Sequence, residues 1–550
     1  MTQLFDRHHT LLGDAVRAVE TREFWTPFPE IPSGKIYGAT AAADGQAAFD
    51  ALQGKPFTLT DHPESLRVGT ESSPWGPALG ITYPAADAKT LTDAAIEVAA
   101  IWAAASVQAR VGVCLEILTR LNAVSFAMGN AVMHTTGQGF AMAFQAGGPH
   151  AQDRGLEAVA VAYTEMMRTP HKALWEKPQG KSAPLQIEKH WRIVPRGVAL
   201  VIGCNTFPTW NSYPGLFASL ATGNPVIVKP HPAAILPLAL TVKIARDVLV
   251  EAGFPANVIL LAADQPGAEV TQDLALHPAT RIIDYTGSTG FADWLRANIA
   301  ANVQLYTEEA GVNSIVIAAT DDFAGMCSNL AFSVSLYSGQ MCTSPQSIFI
   351  PKGGIETDQG HKSFDEVAQG LVTAIDTLLA DPAHAAGVCG MIANPATLTR
   401  VQSMRSAGRI LRDSTSLPQG RSATPLILTV QPEDDAYQQE CFGPISFVVP
   451  VNDAETGIHT AARLAATKGA ITAALYDTDE ARIALAADAF ATAGVNLSVN
   501  LTGNIFVNQS AAFSDYHVTG ANPAGNASLT DSAFIAGRFR LAMWRRPKAA

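Results

Sequence analysis

The sequence predicts an α/β protein of two parallel-sheet domains with a projecting arm. From Val198 onward, short apolar runs alternate with stretches of helical periodicity. That rhythm is of βαβ units, which require parallel strands with helices on both faces. It occurs twice, from Val198 to Tyr285 and from Ser314 to Val451. The chain of 550 residues, 48% of them apolar, is also long enough for two or three domains around a large core.

The elements follow in order. Up to about Ala88, helical patterns at His9–Glu20 and Ala41–Leu52 are separated by Pro/Gly-rich connections such as Phe28-Pro29-Glu30-Ile31-Pro32. This reads as an N-terminal elaboration packed on the body. From Asp93 to Asn130 apolar residues recur every three or four positions (Ile96, Ala99, Ala100, Trp102, Ala103), giving a long helical region broken near Ser106. A further helix spans Asp153–Met167 and stops before Pro170. Gln186–Ile193 alternates apolar and polar residues, as a half-exposed strand does. The first βαβ series has strands at Val198–Gly203, Pro225–Lys229, Val258–Leu261 and Arg281–Tyr285, with helices at Pro214–Ala221 and Leu236–Ala252. The second runs through Ser314–Ala319, Phe332–Leu336, Ser347–Pro351 and Pro444–Val451. Neither an internal repeat nor a low-complexity linker interrupts the chain, so the domains are expected to pack closely.

Charge and cysteine usage exclude several functions. A net charge of -12 without a Lys/Arg cluster disfavours nucleic acid as a partner. No apolar run reaches the roughly 18 residues of a membrane span. Met1–Arg22 is charged and mixed, unlike a secretory signal. The six cysteines (Cys114, Cys204, Cys327, Cys342, Cys389, Cys441) form no CxxC pair and have no His at metal spacing. They read as reduced thiols of a cytoplasmic protein, with no metal site expected.

Open α/β sheets bind ligands at the carboxyl ends of their strands. Three motifs fall there: Asn205-Thr206-Phe207-Pro208, Val228-Lys229-Pro230, and Tyr285-Thr286-Gly287-Ser288-Thr289-Gly290. The last feeds a helix start, whose free N–H groups and partial positive charge suit a pyrophosphate; an ordinary helix cap is the plainer reading. Farther on, Thr307-Glu308-Glu309-Ala310-Gly311 precedes a strand, and Ser338-Gly339-Gln340-Met341-Cys342-Thr343 follows a helix. A cysteine at an element end among backbone N–H groups can be a nucleophile if its pKa is depressed; a buried structural cysteine is the alternative.

Taken together, these motifs resemble the aldehyde dehydrogenase superfamily over about Asp93 to Gly520. Gly339-Gln340-Met341-Cys342 is similar to the G-Q-x-C nucleophile loop, and Thr307 to Gly311 to the x-E-L-G-G base motif, with a separation (342 - 308 = 34) that fits. The resemblance implies Cys342 as nucleophile, Glu308 as general base, and Asn205 with the Cys342 N–H as an oxyanion hole. Glu440-Cys441-Phe442-Gly443-Pro444 resembles the E-x-F-G-P motif, which implies a nicotinamide-ribose contact at Glu440 beside Phe442. Phe513 to Gly520 resembles a worn P-F-G-G-x-K-x-S-G segment. The implied cofactor contacts are Lys229, His231, Gly287, Ser288, Thr289, Glu440 and Phe442. The implied organisation is an elaboration at 1–92, a Rossmann-type dinucleotide domain at 93–306, a catalytic domain at 307–505, and a C-terminal segment at 506–550. Homo-oligomers are expected, through Leu185–Ile193 together with Asn496–Asn500 or Phe534–Ala542.

The implied reaction oxidises an aldehyde to an acid through a thiohemiacetal and a thioester on Cys342. Where NAD-preferring members often carry a ribose-binding carboxylate, this chain has Pro232, and Lys229 and His231 could attract a 2′-phosphate. NADP is therefore favoured over NAD. Ala292 and Gly203 also depart from the usual motifs. Within the superfamily, length, N-terminal elaboration and the Thr-Glu-Glu-Ala-Gly-Val-Asn variant resemble the phenylacetic acid degradation (PaaN) branch. That branch implies a CoA-linked semialdehyde substrate, and the end at Ala550 implies a separate hydratase. The alternatives are a CoA-acylating dehydrogenase, disfavoured by Glu308, and a non-catalytic nucleotide- or partner-binding homologue. Cys204 and Cys441 read as packing residues, and Glu309 as a solvated or salt-bridged carboxylate pointing away from Glu308.

Overall fold

A computed structural model describes residues 3–267 and 270–548. Its first sheet has the order Ile259–Leu261, Val226–Lys229, Val198–Ile202, Thr280–Thr286, Gln304–Glu308, all five strands parallel. In chain order this is 3-2-1-4-5, so the winding reverses between Val198–Ile202 and Thr280–Thr286 and opens a crevice at their carboxyl ends. Helices cover both faces, which is why Val226, Ile227 and Val228 form an unbroken apolar run, all buried.

The second sheet has seven strands, in the order Arg409–Arg412, Leu426–Thr429, Ile445–Val451, Ser347–Pro351, Ser314–Ile317, Thr472–Tyr476, Asn496–Val499. It is parallel except for Arg409–Arg412, an antiparallel edge absent from the sequence reading. Phe332–Leu336 is the end of a helix, Phe323–Ser335, and the turn after it. A short apolar run does not distinguish a buried helix from a strand.

The helical region before the first sheet divides into Ala88–Ala104, Val107–Ala123 and Ser125–Thr136. Its break falls at Ser106, whose hydroxyl accepts the N–H of Ala109 as an N-cap. The helix expected from Pro214 begins at Pro208, with Pro214 inside it. The N-terminal segment shares its core with the five-stranded sheet: Leu12, Phe49, Phe57 and Tyr83 are buried with Val201 and Val228. Glu71 accepts the N–H groups of Ile235 (2.6 Å) and Leu236 (3.0 Å) and so closes the start of the helix Leu236–Glu251. Near the C-terminus, buried Arg538 holds Asp284 through two bonds of 2.8 and 2.6 Å, tying that segment to the same sheet.

The arm is a three-stranded antiparallel ribbon of Phe539–Pro547, Ser182–Pro195 and Lys172–Gln179. Leu185–Ile193 lies within it as expected. Asn496–Val499 belongs instead to the edge of the seven-stranded sheet, and Lys172–Gln179 is a strand the sequence reading missed. Charged residues interrupt its alternation (Glu176, Lys177), so neither period shows. All six cysteines are free. Among the described residues, no single helix is long and apolar enough to cross a membrane.

Candidate active site

The loop carrying Cys342 is held by unusual backbone. Tyr337, Ser338 and Gly339 all have positive φ (50°, 49° and 62°). A Cβ on Gly339 would lie 2.3 Å from the Gly443 carbonyl, so this position requires glycine. The strain at the other two is held by buried bonds: Tyr337 Oη to the Thr136 carbonyl (2.5 Å) and Ser338 Oγ to those of Cys389 (3.0 Å) and Ala423 (2.8 Å). The Gln340 amide donates to the Tyr337 and Met391 carbonyls and accepts the Ala393 N–H. Asn313 Nδ2 then donates to the carbonyls of Cys342 (2.8 Å) and Ser344 (3.0 Å), while its Oδ1 accepts the N–H groups of Ile471 and Thr472. Asn313 thus pins the loop to a neighbouring strand.

Glu308 ends the strand Gln304–Glu308 and is buried beside this loop. Asn211 Nδ2 donates to its Oε2 at 3.0 Å, and His517 Nε2 lies 3.2 Å from its Oε1. Burial pushes the Glu308 carboxyl up, but His517 and the bonds from His517, Cys342 and Asn211 outweigh it and hold the group below the usual carboxylate range. The Cys342 thiol is pushed up, first by burial and then by Glu308. The protein's own groups therefore do not supply the depression expected of the nucleophile loop. His517 Nε2 is also 4.0 Å from the Cys342 Sγ. Ligand-type atoms of Glu308, Cys342 and His517 all lie within 4.8 Å of one another. Glu309 turns away and is ion-paired with Arg296, buried rather than solvated.

A cavity of about 590 Å³ opens from Cys342 into the crevice of the five-stranded sheet. Its wall includes Asn205, Lys229, His231, Gly287, Ser288, Glu440 and Phe442. Thr289, the first residue of the helix Thr289–Asn298, is not in that wall. The Ser288 side chain makes no cap bond to the helix, which leaves the N–H groups of its first turn free for an anion. A Cβ on Gly287 would meet the Tyr285 hydroxyl at 2.4 Å, and that hydroxyl donates to the Ser288 carbonyl. These features fit a dinucleotide pyrophosphate. Glu440 Oε1 accepts the Gly311 N–H at 3.3 Å, and Phe442 is fixed by Arg400 through its carbonyl. Asn205 reaches the cavity with its Oδ1 buried and unpartnered among the described residues. One residue more than in N-F-P separates it from Pro208. Lys229 Nζ lies 2.8 Å from Asp264 Oδ1, and burial with the Lys229 charge pushes the His231 imidazole down to about 4. The two cations expected to attract a 2′-phosphate are thus a paired lysine and a neutral imidazole.

A second cavity, of about 380 Å³, reaches Cys342 from the other side. Phe24 and Trp25 from the N-terminal segment, Met142, Phe207, Trp210 and Met341 form much of its wall. Cys342, Phe207 and Asn211 border both cavities. Cys204 is pushed up to about 11 by burial and bonds with Asn211 and the Phe207 N–H, consistent with packing.

The sequence reading missed His517, Asn211, Asn313 and Asp264. His517 lies 517 - 342 = 175 residues from Cys342, beyond any spacing rule. Asn211 shows a signal in hindsight, since Asn211 and Phe207 stand one helical turn apart at the helix start.

The profile of the aldehyde dehydrogenase family matches residues 81–522. The chain belongs to that family. A solved NAD-dependent aldehyde dehydrogenase from Burkholderia multivorans is 52% identical, with 100% of this chain and 99% of that one covered and a TM-score of 0.98. The Thermus thermophilus 1-pyrroline-5-carboxylate dehydrogenase, 18% identical over 96% of this chain and 99% of its own, has a TM-score of 0.76 and shares the fold. A benzaldehyde dehydrogenase [NAD(+)] of Pseudomonas putida is 25% identical over 56% of this chain; the match spans 62% of that relative's length.

Proposed function

We propose that this protein oxidises an aldehyde to a carboxylic acid with NAD or NADP, through a thiohemiacetal and a thioester on Cys342. The observation that carries the reading is the meeting of two cavities at Cys342, with Glu308 against the same sulfur. In this reading residues 93–306 bind the dinucleotide, 307–505 carry the nucleophile, and 1–92 with 506–550 close the assembly.

Cys342 attacks the aldehyde carbon, and Asn205 with the loop N–H groups receives the developing oxyanion, each such donor contributing about 3 kcal/mol. A dinucleotide held in the larger cavity would supply the hydride acceptor for the thiohemiacetal carbon. Glu308, held ionised, then takes a proton from the water that hydrolyses the thioester. Gly287 and Ser288, with the helix start at Thr289 just behind the cavity wall, would hold the pyrophosphate; Lys229 and His231 would border the adenosine ribose, and Glu440 with Phe442 would hold the nicotinamide ribose. Motif resemblance supports a CoA-linked semialdehyde from aromatic breakdown as substrate. Exposed Leu174, Leu185, Met543 and Trp544 on the arm support a homo-oligomer.

The test is dinucleotide reduction by the purified protein against a panel of aldehydes, CoA-linked semialdehydes included. Equal yields of free acid and reduced dinucleotide without added CoA are expected, with none from Cys342→Ala. A strict need for CoA would make the enzyme an acylating one, and binding without turnover would make it non-catalytic.

A further inference from the structure

The polarity of one buried hydrogen-bond chain follows from its first member and from the acceptors within reach of its second. Arg154 is buried and can only donate. Its Nη2 lies 3.0 Å from Ser510 Oγ, so that oxygen accepts there and its own proton is free to point elsewhere. Ser510 Oγ is 3.5 Å from His517 Nδ1. Among the described residues Nδ1 is the one acceptor within reach of that proton, so the hydroxyl is assigned as donating to Nδ1 and the ring as keeping its proton on Nε2. That N–H faces two acceptors, Glu308 Oε1 at 3.2 Å and Cys342 Sγ at 4.0 Å.

The chain is well anchored. Arg154 also donates to Glu157 (2.8 Å) and to the Asp515 carbonyl (3.0 Å), and it lies over the Trp210 ring, which meets the His517 ring edge-on at 4.6 Å. The other titratable groups acting on the sulfur are Cys204 and Glu440, and both oppose a thiolate. His517 is the one side chain in contact with the sulfur, among the described residues, that can bring an N–H donor to it.

We propose that His517 is a catalytic residue whose Nε2–H, aimed by the Arg154–Ser510 chain, follows the negative charge between the Glu308 carboxylate and the Cys342 sulfur. In the resting enzyme the N–H is on the carboxylate. The thiol proton passes to Glu308, the N–H turns to the sulfur, and the thiolate forms its bond to the carbonyl carbon. Glu308 releases that proton to solvent before hydrolysis and then takes one from water. As the C–S bond breaks, its electron pair returns to sulfur and the same N–H receives it.

The inference rests on Cys342 being the nucleophile of the proposed reaction. Its test is the pH dependence of Cys342 alkylation by iodoacetamide in the full-length protein, read by mass spectrometry. His517→Leu is expected to raise the midpoint by about one pH unit, which slows alkylation near neutrality about tenfold. His517→Gln keeps an N–H donor and recovers part of the loss. Ser510→Ala shifts the midpoint in the same direction by less. Superimposable profiles for the parent and His517→Leu overturn the proposal. Should His517→Leu fail to fold, Ser510→Ala and the ¹⁵N shifts of the parent's His517 ring decide: a proton on Nδ1 overturns it. Alkylation needs no aldehyde, so a failed oxidation assay with the alkylation shift intact sinks the functional reading and leaves the His517 role standing.

Discussion

The two cavities that meet at Cys342 are built in different ways. The dinucleotide side is made largely from the carboxyl ends of adjacent parallel strands, so its residues arrive in short consecutive sets such as Lys229-Pro230-His231 and Gly287-Ser288. The aldehyde side is assembled from segments as far apart as Phe24, Met142, Phe207, Met341 and His517. A binding site at strand ends is a property of the sheet; one pieced together from remote loops is a property of the whole packed molecule.

The most severe way to break this comparison is Cys342→Ala. Oxidation should fall by a factor on the order of 10⁴ or more, because no other side chain can form the covalent intermediate. Dinucleotide affinity, measured by fluorescence titration, should stay within about twofold, as the cysteine is one of many residues in that wall. A parallel loss of dinucleotide binding would show that the cavities are not separable.

This contrast also explains what was legible in the chain. Strands Val198–Ile202 and Val226–Lys229 were visible because burial on both faces leaves an apolar run, and Gly287 because a helix start needs room. Cys342 and Glu308 stood in motifs whose spacing reflects the strands Ser314–Ile317 and Ala319–Thr320, the helix Phe323–Ser335 and the turn after it. His517 and Asn211 lay outside that view, since each gains its role only by packing against Glu308 from another part of the chain. The Lys229–Asp264 pair was hidden because it joins the ends of two neighbouring strands.

The N-terminal segment lines the smaller cavity and also packs on the five-stranded sheet, and His62 offers a pH test of that second hold. Its Nδ1–H donates to the Pro63 carbonyl (2.8 Å) and its Nε2 accepts the Leu261 N–H (3.0 Å). Protonating Nε2 would set two donors against each other. Burial, then Arg246, push the ring from 6.5 down to about 4. The unfolded chain therefore takes up the proton first as pH falls. Stability from the neutral ring is intact above pH 6.5 and is lost progressively toward pH 4, by on the order of 3 kcal/mol. Chemical denaturation across that range should show a shallower decline in His62→Asn; parallel curves would remove His62 as the cause.

Two substitutions sharpen the comparison one cavity at a time. Gly287→Ala places a methyl group 2.4 Å from the Tyr285 hydroxyl and displaces its bond to Ser288. Dinucleotide KM should rise tenfold or more, a change of about 1.4 kcal/mol or greater, with aldehyde KM little changed. Trp25→Ala is the converse. It removes a ring that packs edge-on against Phe513 at 4.9 Å and lines the aldehyde cavity. Aldehyde KM should rise severalfold, roughly 1 kcal/mol, while dinucleotide KM holds. If Trp25→Ala moved the dinucleotide constant instead, the N-terminal segment would belong to the other side.

The smallest effect concerns the choice between NAD and NADP. The Pro232 side chain has no group to accept a ribose hydroxyl, which by itself would leave a 2′-phosphate tolerated. Asp264, however, places a carboxylate against Lys229 from the end of the adjacent strand, and His231 stays neutral at physiological pH. Asp264→Asn keeps the side-chain volume, removes the negative charge, and frees the lysine to meet a phosphate. The ratio of kcat/KM for NADP to that for NAD should rise about fivefold, near 1 kcal/mol, a modest gain because the buried lysine keeps its bond to the Pro230 carbonyl. The rise should shrink with added salt, as expected of a freed charge and not of a reshaped pocket. A ratio that stays put at low ionic strength would mean that Asp264 serves only to hold Lys229 and that discrimination is made elsewhere on the adenosine.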